Sequence, residues 1–297
     1  MKRIFVYLLA MPLLVACKTR TEGSLKSDKA LFSVGESMQV TFSQGNLQYQ
    51  PSTKLWRFAE KQNEFISKDN EKISDDYTGF IDLFGWGTSG WDSGAKQFSP
   101  TSSTMRESDY MPANDASISL TGEYLNADWG WYNKIVNGGN QEHIWRVLTK
   151  NEWNYLIFNR PNAEKLFGRA SVDNVLGLVI LPDEWKDLEG IAFKPATIKY
   201  ADNEYTEADW AKMEAQGAVF LPCAGYRYGT KVYDVEVDVS GNYWSSTPDD
   251  ADYAYALSFD PAETSAETAY ARFRGHAVRL VYDINNLLQT TDYQIIN

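Results

Sequence analysis

Large aromatic side chains run the length of this chain: ten tryptophans, eighteen tyrosines and fourteen phenylalanines among 297 residues. Each brings on the order of 150–250 Å² of surface that water disfavours, so the sequence must fold around aromatic packing and cannot stay globally disordered. The length allows one large domain or two small ones. Two cysteines and two histidines cannot build a four-thiolate or a three-imidazole site, which removes much zinc and non-haem iron chemistry. Twenty-eight Lys and Arg against forty Asp and Glu give a formal charge of −12, a poor surface for nucleic acid.

Lys2 and Arg3 precede an apolar run from Ile4 to Ala16 broken only by Pro12. The run is too short to cross a bilayer and has the layout of a signal peptide over residues 1–16. It closes on Leu14-Val15-Ala16-Cys17, which resembles a bacterial lipobox. The resemblance implies acylation of Cys17, and its acyl chains would hold the protein at a membrane; an ordinary secretory leader is the alternative. Lys18 rather than Asp after the anchor fits transport to the outer membrane, on its surface-exposed or periplasmic face. Residues 18–29 carry one apolar side chain and read, with Cys17, as a flexible tether. The folded domain is expected over 30–283, with a peripheral polar tail over 284–297. Cys223 is then the only free thiol, so no intramolecular disulfide can form. It lies in the apolar run Ala218 to Ala224, where a buried, inert thiol is the default.

Apolar alternation from Phe32 to Tyr49, interrupted by Gly35 and Gly45, predicts short strands with turns. Thr149 with Glu152 forms a capping box ahead of Trp153, Leu156 and Ile157, predicting a helix over 150–159 that stops before Pro161. A second helix should begin at Thr206, carry Glu207 and Asp209 in its first turn, bury Trp210 and Met213, and end at Gly217. Further strands are expected at 175–181, 218–224, 241–247, 253–260, 267–274 and 277–282. Few helices and many short strands make the class α+β. The stretch 60–130, dense in Gly, Ser, Asp and Trp, implies long loops that carry side chains with a purpose or pack as their own layer.

Gly85-Trp86-Gly87-Thr88-Ser89-Gly90 satisfies G-x-G-x-x-G, but Trp91-Asp92-Ser93-Gly94 and then Pro100 open no helix. A dinucleotide cradle needs that helix, so the glycines are read as shaping a Trp-bearing loop. In Tyr253 to Phe259 the large side chains fall on odd positions, so one face should pack and the other be lined by Ala and Ser. In Tyr270-Ala271-Arg272-Phe273-Arg274 the same phase sets Tyr270, Arg272 and Arg274 together opposite Phe273, with Gly275 and His276 shifting the register as a bulge would. That strip is either a solvated face paired with Asp249, Asp250 and Asp252 or a ligand contact.

Trp145 to Leu156 resembles the R-L-P-T-E-A-E-W-E-Y signature of the formylglycine-generating, sulfatase-modifying-factor superfamily. Gly241-Asn242-Tyr243-Trp244-Ser245-Ser246-Thr247, with Arg272-Phe273-Arg274-Gly275-His276-Ala277-Val278-Arg279-Leu280-Val281, is similar to the ending of the Fibrobacter succinogenes major paralogous domain, abundant in lipoproteins of Bacteroidetes. The resemblance, over about residues 30 to 283, implies a C-type-lectin-like fold: a small twisted antiparallel sheet, two main helices and long irregular loops. Oxidase members bind copper through two neighbouring thiols and sulfoxide synthases use three histidines. Cys223, His143 and His276 cannot supply either set, so the expectation is a protein that is not an enzyme and has no cofactor. The Glu-Pro-Asn, Gln-Pro-Asp and Trp-Asn-Asp triplets of calcium-dependent lectins do not occur, though a calcium ion held by loop oxygens stays open. Target proteins of diversity-generating retroelements vary the C-terminal strands of this fold, here 244–276.

The expected function is a lipid-anchored envelope protein that binds a protein or glycan at the cell surface and touches the membrane only through its anchor. The expected contact residues are Trp244, Asp249, Asp250, Asp252, Tyr270, Arg272 and Arg274, with Glu152 and Arg279 structural. A sulfatase-modifying-type oxidase working through Cys223 and a structural subunit of a surface assembly are the alternatives.

Overall fold

The computed structural model describes residues 30–94, 97–106, 109–110, 119–236 and 239–284. The expected signal peptide, Cys17, the tether and residues 285–297 of the tail lie outside them. In chain order the strands are β1 (Phe32–Gly35), β2 (Met38–Phe42), β3 (Leu47–Gln50), β4 (Leu55–Phe58) and β5 (Arg146–Val147). Then come β6 (Phe167–Val172), β7 (Val175–Ile180), β8 (Glu204–Tyr205), β9 (Val219–Pro222), β10 (Tyr226–Tyr228) and β11 (Lys231–Tyr233). The last are β12 (Gly241–Pro248), β13 (Tyr253–Phe259), β14 (Thr264–Ala271) and β15 (Leu280–Asp283). Helices α1 (Trp129–Tyr132), α2 (Lys150–Asn154) and α3 (Glu207–Ala215) lie between them. The chain is α+β, with small, mostly antiparallel sheets and few helices.

One sheet has the order β1-β2-β15-β5. The last strand is inserted between the N-terminal hairpin and β5, with Val281 opposite Phe42 on one side and Arg146 on the other. A second sheet runs β8-β6-β7-β9. Its central hairpin turns at Asp173 and Asn174, with φ of 49° and 65°, the left-handed pair that a two-residue turn requires and that Asp and Asn tolerate. β12, β13 and β14 form a meander, while β3-β4 and β10-β11 are hairpins.

Both expected helices form. In α2 the Glu152 N–H donates to Thr149 Oγ1 (3.1 Å) and the Thr149 N–H to the Glu152 carboxylate (2.7 Å), and the helix continues as a π-helical turn over Tyr155–Asn159. Trp153, Leu156 and Ile157 are buried in the core with Phe32, Phe42 and Leu257. In α3 Thr206 Oγ1 accepts from the Asp209 N–H at 3.2 Å, and Gly217 follows with φ 94°.

The described parts of the long irregular stretch share one core with β3, β4, β12 and β13, and tryptophan N–H groups pin them there. Trp86 Nε1 donates to the Ser245 carbonyl and Trp244 Nε1 to the Phe84 carbonyl, each at 2.7 Å. Buried arginines do the same: Arg227 Nη2 donates to the Ser102 carbonyl at 3.0 Å. Such bonds tie side chains to backbone carbonyls and fix the loop against the strands. The segment Gly85 to Gly90 is a loop around a fully buried Trp86. The chain then enters the Asp92–Gln97 bridge, so no helix follows the glycines.

Two strand expectations need correction. β13 buries its alanines and leaves its first tyrosine out: Leu257 and Phe259 enter the core of α2 and Ala254 and Ala256 face a second core of Trp86, Trp129 and Trp244, while Tyr253 is exposed and Tyr255 half-buried. The alanines line that face because indoles, not water, lie against it. β14 ends at Ala271, three residues before the expected end, so strand alternation does not extend to Arg274.

Candidate functional site

β10 and β11 carry an aromatic surface that their alternation builds. Tyr226 and Tyr228 point outward while Arg227 between them is fully buried. Gly229 and Thr230 make the turn, and across it Tyr226 opposes Tyr233 with rings stacked at 5.5 Å and 20°. Tyr228 and Tyr233 are 39% and 46% exposed.

The segment after β14 docks on this hairpin through a bridge between Arg227 and Gly275, with N–H to carbonyl bonds of 2.8 Å in both directions. A Cβ on Gly275 would stand 2.9 Å from Arg227 Cβ and 3.0 Å from the Leu83 carbonyl oxygen, so the approach requires glycine. It sets the Arg274 guanidinium 4.5 Å from the Tyr226 ring centre, 5.3 Å from Tyr270 and 6.0 Å from Tyr228. Phe273 supports Tyr228 edge-on at 5.2 Å, and the Tyr270 hydroxyl is 2.8 Å from Ser258 Oγ. Burial holds the phenols of Tyr226 and Tyr270 above their ordinary range, so both are neutral at physiological pH.

Behind this surface His276 is fully buried, stacked on Trp244 at 4.2 Å and edge-on to Tyr270 at 4.7 Å. Among the described residues neither Nδ1 nor Nε2 has a hydrogen-bond partner. Burial, reinforced by the Arg274 charge, holds the imidazole well below its ordinary value, so it is neutral.

Of the residues expected to form the contact face, Tyr270 and Arg274 come together. Trp244 and Arg272 do not join them and are corrected to framework positions, both 0% exposed. Trp244 is held by its bond to Phe84. Arg272 lies over the Trp86 ring at 4.5 Å and donates to the carbonyls of Asp250 and Tyr253. The physical reason is the early end of β14, after which the turn points Arg272 inward. Asp249, Asp250 and Asp252 are exposed on the turn between β12 and β13. Asp250 Oδ1 accepts the N–H groups of Asp252 and Tyr253 at 2.8 Å, and Asp249 accepts from the Tyr255 hydroxyl. None of the three pairs with Arg274, so the expected cross-sheet pairing with it is absent among the described residues. Tyr226, Tyr228 and Tyr233 were not among the expected residues. The signal that finds them is the run Tyr226-Arg227-Tyr228-Gly229-Thr230-Lys231-Val232-Tyr233, a two-residue turn between alternating aromatics.

Glu152 is paired with Arg146 at 2.6 Å, and Arg279, fully buried, donates to Gln62 Oε1 at 2.8 Å. Cys223 is buried, and burial pushes its thiol up to about 12, leaving it protonated beside the Tyr200 hydroxyl at 3.3 Å. A cavity of about 240 Å³ lined by Phe65, Leu176, Val235 and Val239 adjoins it. Neither histidine is hydrogen-bonded to it; His143 lies tilted against Trp131 at 4.7 Å. A larger cleft of about 730 Å³ lies between β1, β2 and the end of α3, rimmed by Glu184, Lys186 and Glu214. Among the described residues no three His, Cys, Asp or Glu side chains gather as metal ligands, and no helix is long and apolar enough to cross a membrane. Comparison with protein-family models, with curated proteins and with solved structures finds no match for the chain.

Proposed function

We propose that this is a lipid-anchored envelope protein whose C-type-lectin-like domain holds a protein or glycan ligand without transforming it. The observation that carries this reading is the outward surface of Tyr226, Tyr228, Tyr233 and Tyr270 around Arg274. Exposed tyrosines offer flat apolar faces with a polar tip at little entropic cost, which suits recognition. Stacked rings and a glycine-dependent bridge fix them before any ligand arrives, so less order has to be created on binding. The anchor at Cys17 and the outer-membrane location belong to the same proposal and rest on the lipobox.

The test is capture of ligand from envelope extracts and on a glycan array by the full-length, detergent-extracted protein, with Tyr228→Ala/Tyr233→Ala as the variant. Both side chains are exposed and each gives up one aromatic contact, so the thermal midpoint should fall by no more than about 6 °C while capture falls at least tenfold. Capture undiminished in the double variant would remove this surface from the function.

A further inference from the structure

Among the described residues every buried or half-buried arginine except Arg274 has a side-chain hydrogen bond, and Arg106 is exposed. Arg57 and Arg146 are bound to side-chain oxygens, and Arg160 to Asp183 and a carbonyl. Arg169, Arg227 and Arg272 are bound to loop carbonyls. Arg279 donates to Gln62. Arg274, half-buried, forms no ion pair and no side-chain hydrogen bond among the described residues; only rings face it. Arg169, Arg227, Arg272 and Arg279 also lack a carboxylate but spend their N–H groups on carbonyl or amide oxygens; among the described residues those of Arg274 are unspent.

We infer that Arg274 is the docking point for the carboxylate of an acidic glycan, a uronate-bearing oligosaccharide, with the exposed rings of Tyr228 and Tyr233 taking the faces of the neighbouring sugars. This rests on the reading of the tyrosine surface as the ligand contact. Ring stacking holds the guanidinium plane and leaves its N–H edge unused, and that edge matches a carboxylate with two parallel bonds. The protein's negative charge does not forbid an acidic ligand, because charges beyond about 8 Å are screened at physiological salt and the near field belongs to Arg274. A peptide adding as a strand is disfavoured by the hairpin itself. β10 is bridged to Gly275 on the side away from β11. The free side of β11 is occupied by Glu71, which accepts from the Val232 N–H at 3.1 Å and pairs with Lys231 at 3.0 Å. Main-chain pairing, the usual source of affinity for an extended peptide, has no vacant edge there.

The experiment is titration of the full-length protein in detergent with tetramers of galacturonate, glucuronate and mannuronate, each against its carboxyl-reduced neutral counterpart. Wild type, Arg274→Gln, Arg274→Lys and Tyr228→Ala are compared, with thermal midpoints showing that each is folded. The expected result is binding of at least one uronate and at least tenfold weaker binding of its neutral counterpart. Arg274→Gln should lose that preference, Arg274→Lys should keep part of it, and added salt should weaken the uronate alone. If neutral and acidic forms bind alike and Arg274→Gln changes nothing while Tyr228→Ala abolishes binding, the carboxylate assignment is overturned and the tyrosine surface stands. If no uronate binds while the tyrosine double variant still loses capture from extracts, the acidic-glycan assignment falls alone. If no sugar binds and that variant captures as wild type does, both fall.

Discussion

His276 is buried with two nitrogens that no neighbour satisfies, and each such group costs about 1–3 kcal/mol. A phenylalanine there keeps the stack on Trp244 and removes both costs, so His276→Phe is expected to raise the thermal midpoint at pH 7.5. The gain has a pH signature. The folded-state pKa is depressed from 6.5, so below about pH 6.5 the unfolded chain takes up a proton that the folded chain refuses, and wild type loses stability as pH falls. Arg274 is the charged group beside the ring, with Tyr226 and Tyr270 neutral. The advantage of His276→Phe should therefore widen between pH 7 and 5, measured by thermal melts; a constant difference would contradict a neutral, unsatisfied imidazole. Asp82 and Asp128, buried and pushed up from 3.8 to about 6, act with opposite sign. They retain protons that the unfolded carboxylates release, so stability is lost as pH rises from about 4 through 6. They are present in both proteins, and the difference isolates the histidine. Arg272 and Arg274 give the second residue-scale prediction. Arg272→Ala strands the Asp250 carbonyl and empties a space beside Trp86, costing about 3 kcal/mol, whereas Arg274→Ala gives up ring contacts alone and costs about 1 kcal/mol, read by urea unfolding. Sequence alternation grouped the two because nothing in Tyr270 to Arg274 signals that pairing stops at Ala271. That boundary is set by where β13 runs out, which is not a local property.

At the scale of elements, the legible parts were those whose bonds are local. The Thr149–Glu152 box, the α3 cap and the stop at Gly217 close within a few residues, and the sequence spacing contains them. Thr149→Ala should cost about 1 kcal/mol without altering the slope of urea unfolding, because one N–H loses its partner and little surface changes. A loss above about 3 kcal/mol would mean that Thr149 does more than cap. The β10–β11 hairpin shows the limit of local reading. Its turn and its tyrosine pair were legible in principle. Its use is set by Gly275, more than forty residues after Tyr228, and only the folded chain brings the two together. The burial of the β13 alanines was hidden for the same reason: a face lined by Ala and Ser carries no sign of what packs on it until the indoles of a distant loop are laid there.

For the whole molecule, the insertion of β15 between β2 and β5 makes the last described strand a central strand of the sheet that the first two build. Neither can detach without exposing Val281 and Phe42. A chain stopped at Arg279 is expected to lack cooperative urea unfolding, while the intact chain unfolds in one transition seen alike by tryptophan fluorescence and circular dichroism. Two separated transitions in the intact protein would show that the sheets are independent. The same economy of closure shapes what surface change can do. The interior guanidiniums and indoles grip main-chain carbonyls, atoms that every amino acid supplies, so exchanges at outward positions such as 226, 228, 233 and 274 leave the grip intact. Such a body can be given a new specificity by rewriting a handful of codons, and its architecture would not register the change.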